Sequence, residues 1–236
     1  MDKSIGIFDS GIGGLTTLKE IRKILPNEDY IYYADSKNNP FGEKNNKELN
    51  IIVHNIVNEL LKYDVKLIVI ACNTATTRFI NILRKDYPNI LFVGVEPAIK
   101  VACDNNYKNI LLMATPNTIS SNRTNELILK NKKEDQNIYL VSCEGLANAI
   151  ENNDKKKIDK ILYINLNKYK KYNIDSIVLG CTHYPIIKNE IKKYFPKCKI
   201  VNGNIGTAKR VKYLLEVNNL NNKKKEKGNI KFIQTK

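Results

Sequence analysis

Two cysteines stand in matching settings: Cys72 in Leu67-Ile-Val-Ile-Ala-Cys72-Asn73-Thr74, and Cys181 in Ser176-Ile-Val-Leu-Gly-Cys181-Thr182. Each follows an apolar run of the kind that forms a strand buried on both faces of a parallel sheet, and each precedes a helical pattern. A thiol facing a helix N-terminus ionises more readily than free cysteine, whose pKa is about 8.5. His183 lies two residues beyond Cys181. Asp9 closes the first strand, which the order of elements puts beside the Cys72 strand. Both side chains can move protons to or from a thiol. A single buried cysteine is more often a small hydrophobe than a reactive group, but two in equivalent contexts favour chemistry over packing. Cys103, Cys143 and Cys198 lack that context and are read as structural. His54, off the apolar stripe of its helix, is read as a surface residue.

In open parallel sheets, ligands bind beyond the carboxyl ends of the strands. The polar residues expected there are Asp9-Ser10, Asp35-Ser36, Cys72-Asn73-Thr74, Thr115, Cys143 and Cys181-Thr182-His183. The alternation gathers them at one edge of the fold. Short hydroxyls, amides and glycine turns at such an edge can donate to a carboxylate, helped by helix N-termini. There is no Walker A lysine, and Gly11-Ile-Gly13-Gly14-Leu-Thr16 lacks the third glycine of a dinucleotide fingerprint. Nucleotide binding is therefore disfavoured.

The elements that must carry these residues alternate from the first segment onward. Strands are expected at Ile5–Phe8, Tyr30–Ala34, Leu67–Ala71, Leu91–Val95, Asn109–Ala114, Ile138–Ser142 and Ser176–Gly180. Leu15, Leu18, Ile21 and Leu25 mark a helix stopped by Pro26, and Leu49, Ile52, Val53, Ile56, Val57, Leu60 and Leu61 trace a 3.6-residue stripe. Residues 151–173 read as a lysine-rich helix cored by Ile158, Ile161, Leu162 and Leu166. After Cys181, Pro185 suits a first helical turn, with Ile187, Ile191, Tyr194 and Phe195 on its apolar face. Asn218–Lys227 is a polar connection to a last apolar scrap, Ile230–Ile233. Repeated strand–helix alternation means an α/β fold with mainly parallel sheets. The likeness of the two cysteine segments, with Ile5–Ser10 loosely echoed by Ile110–Thr115, suggests two similar halves.

Composition narrows the function classes. The chain has 236 residues, 42% of them hydrophobic and 27% charged, which is enough to bury a sizeable core and is neither disordered nor collagenous. Five cysteines with no CxxC, and only two histidines, argue against a disulfide framework and a zinc site. No run reaches the roughly 18 apolar residues of a membrane span. The opening MDKSIGIFDSGIGG has no signal core, so a cytoplasmic location is expected. The net charge is +15, yet only five of the 39 basic residues are Arg. Base-edge readers lean on Arg forks, so solvated lysine is preferred to a nucleic-acid surface.

Four stretches carry a family resemblance: Asp9-Ser10-Gly-Ile-Gly-Gly, Pro40-Phe41-Gly42, Ala71-Cys72-Asn73-Thr74-Ala75 and Gly180-Cys181-Thr182-His183-Tyr184-Pro185. In order and spacing they resemble the signature motifs of the glutamate racemases, within the wider aspartate/glutamate racemase superfamily. The resemblance runs from residue 4 to about residue 215. It implies two pseudo-symmetric α/β domains with mainly parallel sheets and the active site in the cleft between them. The first would comprise residues 1–96 and about 205–236, and the second about 97–204. It also implies a cofactor-independent isomerase with no metal, using Cys72 and Cys181 as acid/base thiols assisted by Asp9 and His183. Cys72 would act on the D-enantiomer and Cys181 on the L-enantiomer. Asp9, Ser10, Phe41, Gly42, Asn73, Thr74, Thr118, Thr182 and His183 would hold the substrate, and Glu151 matches a family acid. Phe41 stands where the family usually has tyrosine, so contact there falls to backbone and packing.

Two thiols suit such a reaction because one group must take the α-proton while the opposite one returns another. Cysteine can fill either role near neutrality. The expected function is the interconversion of L- and D-glutamate, supplying the D-isomer for peptidoglycan synthesis. The alternatives are a racemase of aspartate or another acidic amino acid, and a catalytically idle protein that binds nucleic acid through its basic surface. The expected partner is a small acidic substrate, with a homodimer left open and no membrane involved.

Overall fold

Alternation of strands and helices runs through the whole chain in a computed structural model that describes residues 3–236. Met1 and Asp2, at the start of the first expected domain, lie outside the described residues. The order is β1 (Ile5–Asp9), α1 (Leu15–Ile24), β2 (Tyr30–Ala34), α2 (Asn46–Leu61), β3 (Leu67–Ile70), α3 (Asn73–Asp86), β4 (Leu91–Gly94), α4 (Ile99–Asp104), β5 (Asn109–Ala114) and α5 (Pro116–Ile119). It continues with α6 (Asn122–Asn131), β6 (Asn137–Ser142), α7 (Leu146–Glu151), α8 (Lys155–Leu166), β7 (Ser176–Gly180), α9 (Lys188–Tyr194), β8 (Lys199–Asn202), α10 (Asn204–Val217) and β9 (Ile230–Gln234).

The strands form two sheets, both parallel throughout: β4-β3-β1-β2-β9 and β6-β5-β7-β8. Taken from its other edge, the second sheet runs β8-β7-β5-β6, which repeats the first four positions of the first sheet. Register repeats too, since Ile5 pairs with Leu67 as Ile110 pairs with Ser176. The resemblance between the cysteine segments is thus a repeat of topology. It puts Cys72 and Cys181 at equivalent places beyond β3 and β7.

The central strands are buried because helices cover both faces of each sheet. On the first sheet, α2 buries Leu49, Ile52, Val53, Ile56, Val57 and Leu60 against one face together with α3. Removing each such side chain from water stabilises the fold by roughly 1.5–3 kcal/mol. The helix starts where the Asn45 side chain accepts a hydrogen bond from the Glu48 N–H at 2.9 Å. On the other face, α1 packs with α10 through Leu18, Ile21, Ala208, Val211 and Leu215. The second sheet is covered by α7, α8 and α9 on one side and α4 on the other.

Several local expectations are corrected. Residues 151–173 are not one helix: α7 ends at Glu151, Asn153 takes φ of 52°, and Asp154 caps α8 by accepting from the Lys157 N–H at 3.0 Å. From residue 167 the backbone tightens into a 3₁₀ turn over Asn167–Tyr172. Cys181 does not abut an α-helix; a 3₁₀ turn, Tyr184–Ile187, separates it from α9. Pro185 sits in that turn, where its missing N–H leaves no helical bond unmade. The scrap at the C-terminus becomes the edge strand β9 beside β2. Its lead-in is pinned by Lys66, whose ammonium donates to the Leu220 carbonyl and the Asn222 side chain at 2.6 Å and pairs with Glu28 at 2.5 Å.

Candidate active site

The carboxyl ends of the two sheets meet around one cavity, so the polar residues lie on two facing edges and not on a single one. From the first sheet and its loops come Asp9, Ser10, Phe41, Gly42, Cys72, Asn73 and Thr74; from the second come Cys181, Thr182 and His183. The space between them is about 10 Å³, room for about one water. Both cysteines are buried, Cys72 at 6% and Cys181 at 7% exposure. Cys72 occupies the N-cap position of α3, so the N-terminal end of that helix begins at the thiol.

Each thiol has a titratable companion. The Asp9 carboxyl is fully buried at the end of β1, next to β3. Burial lifts its pKa to about 6, although His183, the Ser10 and Gly14 backbone N–H groups and the Thr182 hydroxyl all pull the other way. The Thr182 hydroxyl donates to Asp9 Oδ2 at 3.1 Å, while Asp9 Oδ1 has no hydrogen-bond partner among the described residues. Burial also pushes the Cys72 thiol well above its ordinary value, reinforced by the negative charge of Asp9. Cys72 is therefore held as a thiol at neutral pH.

His183 is the other companion. Its Nδ1 lies 3.8 Å from Cys181 Sγ and its Nε2 lies 2.7 Å from Glu151 Oε2. Burial alone would discharge the ring, but the bonds to Cys181 and Glu151, with Asp9 nearby, outweigh it and lift the pKa to about 10. The imidazolium so favoured donates from both nitrogens, one towards the Cys181 sulfur and one to Glu151. Glu151 is in turn fixed across the cleft. Its carboxylate accepts from the Ile12 backbone N–H at 3.0 and 3.2 Å. Half-burial opposes ionisation of that carboxylate, yet the His183 and Ile12 bonds hold its pKa below the ordinary range.

The glycine-rich turn after β1 serves this pair. A Cβ at Gly13 would sit 2.4 Å from His183 Nδ1, and one at Gly11 would sit 2.3 Å from the Glu151 carboxylate. These glycines let the backbone of one half lie flat against the acid and the histidine of the other.

Three threonines knit the remaining wall. The Thr74 hydroxyl is 2.9 Å from that of Thr115 and 3.2 Å from that of Thr118, and Thr115 donates to Thr118 at 3.1 Å. Thr118 touches the site through this trio and does not line the cavity, and Glu151 reaches it through His183. Thr115 does line it, with Pro40 and Ala147. None of these three is among the substrate contacts expected from sequence, although Thr115 sits at a strand end as Asp9 does. Of the other strand-end residues, Asp35 and Ser36 turn to β9, bonding Thr235 at 2.7 Å and Gln234 at 3.0 Å. Cys143 is buried behind the site, its carbonyl accepting from the Tyr184 hydroxyl at 3.3 Å. His54 bonds Asp86 at 2.9 Å on the far side of α2. Among the described residues no three His, Cys, Asp or Glu side chains converge as metal ligands, and no helix is long and apolar enough to cross a membrane.

The model of the Asp/Glu/Hydantoin racemase family matches residues 17–210. The glutamate racemase of Clostridium botulinum (strain Alaska E43 / Type E3) is 41% identical over 100% of this chain and 93% of its own length. That of Clostridium novyi (strain NT) is 42% identical over 98% of this chain and 90% of its own. Among solved structures, glutamate racemase from Francisella tularensis in complex with D-glutamate superposes with a TM-score of 0.86. It is 31% identical, and the match covers 100% of this chain and 89% of that one.

Proposed function

The chain belongs to the Asp/Glu/Hydantoin racemase family, and from that footing we propose that it interconverts L- and D-glutamate by proton transfer between two cysteines. The observation that carries this reading is the pairing of each strand-end thiol with its own titratable group around one small cavity: Cys72 with Asp9, Cys181 with His183. Cys72 held as a thiol, facing Cys181 beside an imidazolium, is the state poised for the L-enantiomer. The Cys181 sulfur takes the α-proton, and its bonding pair stays on carbon as a planar carbanion. Cys72 then delivers its own proton to the opposite face, leaving D-glutamate, a Cys181 thiol and a Cys72 thiolate. The site now suits the reverse reaction, or is reset as Asp9 and His183 relay the proton back.

No cofactor sink takes part in this scheme, so the carbanion depends on fixed donors and the exclusion of water. Ser10, Asn73, Thr74 and Thr182, with the backbone at Phe41 and Gly42, supply that cradle. The D-glutamate formed would feed peptidoglycan synthesis in the cytoplasm.

A coupled assay on both enantiomers of glutamate and of aspartate, with no added pyridoxal phosphate and after dialysis against a strong chelator, tests the proposal. Turnover of glutamate is expected. Preference for aspartate would shift the substrate, activity restored only by metal or pyridoxal phosphate would overturn the mechanism, and salt-sensitive nucleic-acid binding without turnover would overturn the function.

A further inference from the structure

Residues 40–44 run from the cavity wall to solvent and are fastened to the second sheet's elements by three hydrogen bonds. The Asn117 side-chain amide donates to the carbonyls of Phe41 at 3.3 Å and Lys44 at 2.8 Å. The Gly145 backbone N–H donates to the Glu43 carboxylate at 2.7 Å. The seat is itself braced: Arg78 of α3 donates to the Asn117 carbonyl at 3.1 Å and to the Ser120 hydroxyl at 2.7 Å. Between the fastenings, Phe41 is buried, and Gly42 lies so close to Thr115 that a Cβ there would stand 2.5 Å from the threonine side chain. Phe41 and Gly42 thus wall the cavity while Glu43, the next residue, is exposed to solvent.

A space for about one water is too small to hold a five-carbon diacid. A wall must move in each turnover, and this one is fastened to the second sheet's elements by three hydrogen bonds alone, each involving a side chain. We propose that residues 40–44 are a lid over the substrate, and that Glu43 and Asn117 are positioning residues that latch it to α5 and to the start of α7. The proposal rests on reading the cavity as the racemase site. The latch keeps water out while the carbanion exists and sets how readily substrate enters and product leaves.

Iodoacetamide labelling of Cys72 and Cys181, resolved by mass spectrometry, reads lid opening without any need for turnover. Loss of one hydrogen bond in Glu43→Ala should raise the open population, and so both labelling rates, about 2- to 10-fold, and loss of two in Asn117→Ala should raise them at least as much. Cys103 and Cys198, buried on the two faces of the second sheet, should label at unchanged rates. Glu43→Gln keeps an oxygen acceptor for the Gly145 N–H and should return labelling to that of the unsubstituted chain. In steady state the alanine variants should raise KM for both enantiomers several-fold while kcat changes less, whereas a merely structural defect lowers kcat at constant KM. Unchanged labelling of Cys72 and Cys181 in both alanine variants overturns the latch, as does an equal rise at Cys103 and Cys198. Selective labelling in a chain that turns over no acidic amino acid would keep the latch and overturn the racemase reading.

Discussion

Thr182, the residue after one catalytic candidate, donates its hydroxyl to Asp9, the companion of the other, at 3.1 Å. The carboxylate beside Cys72 is therefore gripped by the neighbour of Cys181, and the ends of the two sheets are joined there by a side-chain contact across the cleft. Asp9 is also a burden to the fold. A proton binds it more tightly in the folded chain, at about 6, than in the unfolded chain, near 3.8. Stability from this group is therefore full below about pH 4 and lost as pH rises through about 6. That difference corresponds to about 3 kcal/mol at most.

Asp9→Asn should accordingly stabilise the protein at pH 8 by roughly 1–3 kcal/mol and leave stability little changed near pH 4. It should also lower turnover at least about tenfold, since the acid/base group is gone. Urea titrations at the two pH values, beside a racemisation assay, check both halves. Equal stability at pH 8 with normal turnover would remove Asp9 from the mechanism.

The pH dependence of kcat/KM should be bell-shaped, rising through about 6 as Asp9 ionises and falling through about 10 as His183 loses its proton. In Glu151→Gln the ring loses its charged partner at 2.7 Å, so the alkaline limb should move towards neutrality while the acid limb stays. The same substitution weakens the bond from the Ile12 N–H. An alkaline limb at the same pH in both proteins would show that Glu151 does not act on His183.

Cys72→Ala and Cys181→Ala should each abolish racemisation without unfolding the chain, because trimming one sulfur at a cavity wall removes little packing, on the order of 1 kcal/mol. Cys103→Ala, Cys143→Ala and Cys198→Ala should keep most activity. Circular dichroism and turnover on the five variants give the answer directly. A folded Cys72 or Cys181 variant with near-normal turnover would contradict the two-thiol assignment.

The parts of this site that are legible in sequence are those whose signal is local. Cys72, Cys181 and Asp9 stand out because a buried strand must end before a polar residue can face a ligand, and the repeat marks that end twice. The parallel α/β character follows from the alternation. The β8 segment, Lys199–Asn202, gives no such signal, since an edge strand needs only partial burial and its residues are half polar. The break in residues 151–173 rests on Asn153 and the Asp154 cap, which are easily lost in a lysine-rich run. Long-range contacts are silent altogether. Glu43 meets Gly145, and Ile12 meets Glu151, only because two sheets bring their carboxyl ends together. Glu151 is marked only by the family resemblance, and Thr115 only by its strand-end position.

The central claim is that two different thiols act on opposite faces of one α-carbon. Reaction in heavy water, started separately from L- and from D-glutamate and sampled before equilibrium, tests it most directly. Each thiol carries a single hydrogen, so a proton taken by one sulfur can return only to the face it left, and the opposite sulfur delivers deuterium from solvent. The account predicts α-deuterium in the product enantiomer from the first turnover and none in the recovered substrate, in both directions. Protium carried over into the product, or deuterium appearing equally in both enantiomers, would contradict it.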